Sequence, residues 1–253
     1  MALEVKPLEG ANSYRQSKHI QFNPLPMRAA MLGNTGQGKT AASFVIWREL
    51  FPLCNRWHII ASTIETDGSF SKMKEMVTKG LRDKGVDPDD PGETPFHTSL
   101  DALGAVIKQA TMHTKRGKDA NEKHLPMTLL YIDDMITFTR WNSQLDHLFA
   151  TSRHIGLNII INMQQFVGMS TLQRKSLSHI GIFKIHKRES EAVKEEIAGR
   201  KDADFEQAYQ EATKKPHGFL WIRLGASNKN EKYWSSFTTV SYTHLTLPTT
   251  PYV

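Results

Sequence analysis

"GNTGQGKT", Gly33 to Thr40, lies between the apolar run "MRAAML" (27–32) and the apolar-periodic stretch "TAASFVIWRELF" (40–51). It matches G-x-x-x-x-G-K-[ST], the Walker A pattern, and the spacing has a physical cause. Glycines let successive backbone N–H groups converge on phosphate oxygens at a helix N-terminus, where the helix dipole adds partial positive charge. Gly33, Asn34, Thr35, Gly36, Gln37, Gly38, Lys39 and Thr40 are therefore the expected phosphate cradle. Lys39 is placed to reach the β- and γ-phosphates of ATP, and the Thr40 hydroxyl is placed for Mg²⁺. A strand before the loop and a helix over residues 39 to 50 supply the context that the motif requires.

A Walker A loop needs an acidic strand end, because Mg²⁺ calls for a carboxylate and hydrolysis for a group that orients water. "LLYIDDM" (129–135) provides both in Walker B form. Four apolar residues, Leu129 to Ile132, fit a buried parallel strand that delivers Asp133 and Asp134 to its carboxyl end. Asp133 is the expected metal residue beside Thr40, and Asp134 the expected general base. About ninety residues, including the strand-like "WHIIAS" (57–62), separate Lys39 from Asp133. That spacing permits a strand between the two motif strands, the arrangement of RecA-like ATPases. No guanine-reading Asn-Lys-x-Asp is present; "NKNE" (228–231) is the nearest text.

The bulk properties agree with this reading. At 253 residues the chain fits one α/β domain, and 39% hydrophobic content is ordinary for a globular protein. No apolar stretch approaches the ~18 residues of a membrane span, so no membrane partner is expected. The lone Cys54 excludes an internal disulfide and reads as a small buried hydrophobe. The His residues are too scattered for a metal cluster. A net charge of +6, from 32 basic against 26 acidic residues, permits a polyanionic partner without demanding one.

After Pro24, strands alternate with helices, as in a mostly parallel central sheet flanked by helices. Residues 1–240 are expected to form one P-loop ATPase domain. Residues 1–24 would be an N-terminal arm, with "KHIQF" (18–22) as an extra edge strand. The turn-rich "GVDPDDPGETPF" (85–96) reads as an exposed loop. A helix is expected from Ser99, with Thr98 and Asp101 as a capping box. The polar "MHTKRGKDANEKH" (112–124) reads as a mobile insertion or a DNA-facing loop bearing Lys115, Arg116 and Lys118. Beyond it we expect a helix over 142–154, strands "LNIIIN" and "IGIFKI", helices near 190–198 and 203–213, and strand "GFLWIRL". The tail 241–253 lacks charge and helical period, reads as non-native adaptor sequence or a disordered end, and is set aside.

"LFATSRHIGLNIIINMQQ" (148–165) distinguishes among motors. It resembles the corresponding region of the poxvirus-type viral genome-packaging ATPases of the FtsK/HerA superfamily, in which a helix ending in Arg-His precedes a strand ending in Gln. Here these are Arg153, His154 and Gln164, and "VGMSTLQRKSLSHIGIFKIHK" (167–187) continues the similarity with Arg174 in an apparent loop. The resemblance covers about Met27 to Lys187. It implies an ATP- and Mg²⁺-dependent motor on double-stranded DNA, acting as a homo-oligomeric ring with viral capsid proteins as partners. The implied location is the host cytoplasm or viral assembly site, or the virion itself. Gln164 would bond both γ-phosphate and attacking water, while Arg153 and Arg174 would each offer a fork to phosphate in the same subunit or a neighbour; of the two, Arg174 is the expected finger, with Arg153 alternatively orienting the Gln strand. Many relatives carry Asp-Glu where this chain has Asp133-Asp134, and a small polar residue in place of Met163. The length leaves no expected room for the extra domains of cellular relatives. A cellular DNA translocase of the same superfamily and a small-molecule P-loop kinase remain the alternative readings.

Overall fold

The protein is described here from a computed structural model, which covers residues 13–90, 92–135, 142–198, 203–226, 228 and 231–239. A nine-stranded sheet forms its centre. Six strands run parallel: β1 (Arg28–Leu32), β2 (Arg56–Ala61), β3 (Phe96–His97), β4 (Thr128–Asp133), β5 (Leu157–Met163) and β6 (His179–Phe183). Strands β7 (Phe219–Arg223), β8 (Tyr233–Ser235) and β9 (Thr238–Thr239) continue the sheet antiparallel. The spatial order is β3-β2-β4-β5-β1-β6-β7-β8-β9.

Every residue of β4 and β5 is buried, as expected of inner parallel strands covered on both faces. Alternation along β4 divides the core into two halves. Leu130 and Ile132 belong to a cluster that includes Val106 of helix α3 (Leu103–Asp119) and Leu148 of α4 (Ser143–Thr151) and that extends to Phe205 of α7 (Ala203–Ala212), which packs on β7 and β8. Leu129 and Tyr131 face α1 (Lys39–Leu50) and α2 (Ser71–Arg82) through Trp47, Ile46 and Val77. The result is three layers, helices on either side of the sheet, so the expected architecture holds. Two short helices, α5 (Thr171–Ser176) and α6 (Lys187–Val193), flank β6, and a π-helical turn, Lys194–Ala198, extends α6.

Several sequence expectations need correction. A strand does separate the two motif strands, but it is β5, and "WHIIAS" lies in β2 on the far side of β4. The two asparagines of β5 explain its central position. Asn158 accepts a hydrogen bond from Met27 N at 2.8 Å. Asn162 accepts from Ser43 Oγ (2.6 Å) and donates to the Tyr131 hydroxyl (2.7 Å), so these buried amides find partners from the β1–α1 side and from β4. "KHIQF" forms no strand; Ile20–Phe22 is a 3-10 turn ahead of Pro24 and Pro26, which lack the N–H that a ladder needs.

Met112 to His124 is no loop through most of its length, because α3 continues to Asp119. Its buried stripe runs Val106, Ala110, Thr114, Gly117, at helical spacing but in small residues, which hid it. Gly117 packs so closely that a Cβ there would lie 2.5 Å from Pro126 Cδ. Lys115, Arg116 and Lys118 are therefore exposed on the last turns of a helix. Ser99, rather than Thr98, is the cap, accepting from Asp101 N ahead of a 3-10 turn (Leu100–Ala102). Helix α4 starts from the cap Asn142 but ends at Thr151, leaving Arg153 and His154 in the turn before β5. Cys54 is buried as expected. Residues 1–12 of the expected arm and the tail 241–253 lie outside the described residues.

Candidate active site

The loop of residues 33–38 leaves the carboxyl end of β1 and opens α1. Gly38 has φ 98°, in the left-handed region where a side chain is strained, and Gly33 approaches Phe183 so closely that a Cβ would sit 2.8 Å away. Gln37 fastens the loop: its Oε1 accepts from Asn34 N (2.9 Å) and its Nε2 donates to the Lys184 carbonyl at the end of β6. Lys39 Nζ donates to the carbonyls of Gly33 (2.8 Å) and Asn34 (3.0 Å). Its ammonium is thereby held in the mouth of the loop. Burial lowers its pKa, with Asp133 and Asp134 acting in the opposite sense.

Thr35, Gly36, Gly38, Lys39 and Thr40 line a cavity of about 570 Å³ that Asp133, Asp134 and Gln164 also line. Gly33, Asn34 and Gln37 do not line it and act on it by shaping the loop. Thr40 Oγ1 lies 3.3 Å from Asp133 Oδ2, which also accepts from the Tyr131 hydroxyl at 2.8 Å. Asp133 is buried, and burial raises its pKa, partly offset by Tyr131, Asn162, Thr40 and the charge of Lys39. A buried carboxylate next to a threonine hydroxyl is a hard-oxygen donor set that suits Mg²⁺. Asp134 has φ 49°, so the chain leaves the strand's alternation at this residue. Its Oδ1 accepts from Gln164 Nε2 at 2.9 Å. Acid and amide thus meet across the carboxyl ends of adjacent strands β4 and β5. Gln165 is exposed and does not line the cavity.

The two arginines are not part of this cavity. Arg153 is exposed in the turn ahead of β5, and Arg174 is in α5, not in a loop. Arg174 Nε donates to Glu196 (2.8 Å) and Nη1 to the Met169 carbonyl (2.7 Å), so its fork is engaged within the chain. The residues that sequence reasoning missed fall into two groups. Tyr131, Asn162 and Ser43 form a buried network behind Asp133; Tyr131 stands two residues before Asp133 on the same strand face, a signal that period-two reading could have used. Phe44, Thr63, Asp67, Ser69 and Lys72 also line the cavity, most of them from the β2–α2 connection, and no motif marks them.

On the other side of the loop, the turn Thr213–Gly218 and the end of β6 form a cleft of about 300 Å³ with Gln37. His217 is held there at φ 59°, its Nδ1 3.1 Å from the Gln37 carbonyl.

The family model described as "Poxvirus A32 protein" matches residues 83–205, just under half of the chain. That stretch contains Asp133, Asp134, Arg153, Gln164 and Arg174 and begins after the Walker A loop. Among curated proteins nothing matches. Among solved structures, the chain is similar to the genome packaging NTPase B204 from Sulfolobus turreted icosahedral virus 2. In the complex with ATP-gammaS the TM-score is 0.56 at 16% identity, covering 86% of this chain and 100% of that one. In the complex with AMPPCP the score is 0.55 at 16% identity, with 80% and 95% covered. EssC (ATPases 2 and 3) from Geobacillus thermodenitrificans scores 0.53 at 12% identity, over 87% of this chain and 46% of that one. At these identities the structural matches establish the fold, a P-loop ATPase core. The resemblance read from the sequence is therefore borne out: over residues 83–205 this chain matches the poxvirus A32 family, on a fold shared with a viral genome-packaging NTPase.

Proposed function

We propose that the protein is an ATPase that drives double-stranded DNA into a viral capsid. The observation that carries this reading is the convergence of Lys39, Thr40, Asp133, Asp134 and Gln164 on one cavity, in a chain that matches the A32 family. The size of the cavity suits a nucleotide triphosphate end, and both solved complexes of B204 named above carry ATP analogues.

In this mechanism the loop's N–H groups and Lys39 bind and orient the β- and γ-phosphates. Thr40 and Asp133 would hold Mg²⁺, which when bound supplies charge neutralisation for the phosphoryl oxygens. Asp134 takes the proton from the attacking water, and Gln164 fixes Asp134 and offers its own amide to water and γ-phosphate. Because Gln164 caps β5, loss of the γ-phosphate is felt by the strand between β1 and β4.

Against the sequence expectation, which favoured Arg174, we assign Arg153 to a neighbouring subunit's nucleotide, since it is exposed and without an acidic partner among the described residues, while Arg174 is committed to Glu196. A homo-oligomeric ring, capsid proteins as partners and a place at the viral assembly site in the host cell complete the reading. Release of phosphate from Mg-ATP, measured with and without duplex DNA, tests it. Stimulation by DNA is expected. Transfer of the γ-phosphate to a small-molecule acceptor, independent of DNA, would instead make the protein a kinase.

A further inference from the structure

The nucleotide cavity has a second wall, facing the Walker A loop. Because β5 and β4 lie between β1 and β2 in the sheet, the loop after β1 lines the cavity on one side and the β2–α2 connection, residues 62–70, lines it on the other. Asp133, Asp134 and Gln164 stand between the two. Thr63, Asp67 and Ser69 come from the connection, and Lys72 joins them from the first turn of α2.

Two lysines therefore line the cavity, and they differ in what holds them. Lys39 donates to the carbonyls of Gly33 and Asn34. Lys72 is exposed, and among the described residues its side chain has neither an ion pair nor a hydrogen bond. Its position is also electrostatically unfavourable. The amino-terminal turn of a helix carries partial positive charge that favours acids, and the first turn of α2 holds none. Lys74, the other cation there, is answered by Glu65 at 3.4 Å and by the face of the Phe96 ring. The acid of this wall, Asp67, is engaged in capping the turn Gly68–Phe70, its Oδ1 accepting from Ser69 N at 2.8 Å. A cation set against a helix dipole, unpaired and beside a phosphate cradle, finds its counter-ion in what the cradle holds.

The start of α2 is anchored, so Lys72 is kept at the cavity. Ser71 Oγ donates to the Gly68 carbonyl (2.8 Å), and the buried Phe70 ring packs edge-on against Tyr131 with 6.1 Å between centroids. Tyr131 in turn donates to Asp133. With the loop and Lys39 taking the β- and γ-phosphates, the part of the triphosphate that projects past Asp134 and Gln164 towards the second wall is the γ-phosphate. The flexible four-carbon stem of a lysine lets its ammonium follow that group.

We propose that Lys72 is a further ligand of the γ-phosphate, reaching it within the same subunit from the side opposite the Walker A loop and so distinguishing ATP from ADP. This rests on the reading of the cavity as an ATP site. The test is calorimetric titration of the full chain with Mg-ATPγS and, separately, with Mg-ADP. Lys72→Gln should weaken ATPγS about tenfold, the scale of one charge-assisted hydrogen bond, and leave ADP unchanged. Lys72→Arg, which keeps the charge, should retain most of the preference. Lys79→Gln, on an exposed residue of the same helix that does not line the cavity, should change neither affinity. Lys72 is exposed, so its substitution leaves folding intact. A wild type that binds both nucleotides, with the same ratio of affinities in Lys72→Gln, overturns the role of Lys72 alone. Equal weakening of ATPγS and ADP overturns it too, because the lysine would then not be reading the γ-phosphate. Failure of the wild type to bind either nucleotide overturns the reading of the cavity and the role of Lys72 with it.

Discussion

At the scale of single residues, the site's chemistry rests on pairs whose members can be separated. Asp134 and Gln164 touch each other, whereas Asp133 and Thr40 form the pair proposed to hold Mg²⁺. Asp134→Asn is expected to retain nucleotide binding and lose about 10²–10⁴-fold in turnover, the span of a general base; single-turnover phosphate release checks it, and near-wild-type turnover removes Asp134 from that role. Asp133 allows a sharper test. Its folded-state pKa is raised by burial, so its ionised form destabilises the fold once pH exceeds the ordinary aspartate range. Asp133→Asn should therefore raise the melting temperature at neutral pH without nucleotide while abolishing Mg²⁺-dependent turnover. Tyr131→Phe removes a donor that opposes the rise. The acid limb of the pH–rate profile should then move to higher pH.

At the scale of elements, α3 and the inner strands make distinct predictions. Gly117→Ala drives a methyl group into Pro126 and is expected to cost about 1–3 kcal/mol by overpacking. Chemical denaturation measures this, with urea m-values unchanged. Buried histidines contribute to the acid stability. His58 on β2 is held to about 4, mainly by burial, and His179 on β6 to about 3. A His whose folded pKa lies below its unfolded value loses stability as pH falls, starting below about 6.5. Thermal melts should therefore decline through that window. Replacing His58 with Gln should flatten the decline.

How much of this was legible follows the same division. The Walker A loop, the acid pair and Gln164 were readable because phosphate and metal chemistry fix residue type at fixed spacing, and the structure brings all three together. The apolar strands were readable from their burial. Three things were not. The end of α3 was hidden because its buried stripe is made of Thr114 and Gly117, which carry little apolar signal. The place of β5 was hidden because chain order does not give neighbours in a doubly wound sheet; its ladders to β1 and β4 reveal it, and the partners of Asn158 and Asn162 agree. Lys72 resembles any helix-surface lysine in sequence, and its place on the cavity wall is a property of the fold.

For the whole molecule, the nucleotide cavity lies at the carboxyl ends of the parallel strands, between the Walker A loop and the β2–α2 connection. A motor that tracks DNA without reading its sequence should contact mainly phosphates. Its affinity for duplex should fall steeply and linearly on a log–log plot against salt, by about 0.9 per phosphate neutralised. A flat response in an anisotropy titration would argue against phosphate tracking. The central claim is that Lys39, Thr40, Asp133, Asp134 and Gln164 surround one triphosphate and cleave it. Steady-state phosphate release from Mg-ATP, by wild type and by Lys39→Ala, tests that claim most directly. Turnover in the wild type, raised by duplex DNA and lost in the variant, is the predicted result; turnover undiminished in Lys39→Ala would contradict it.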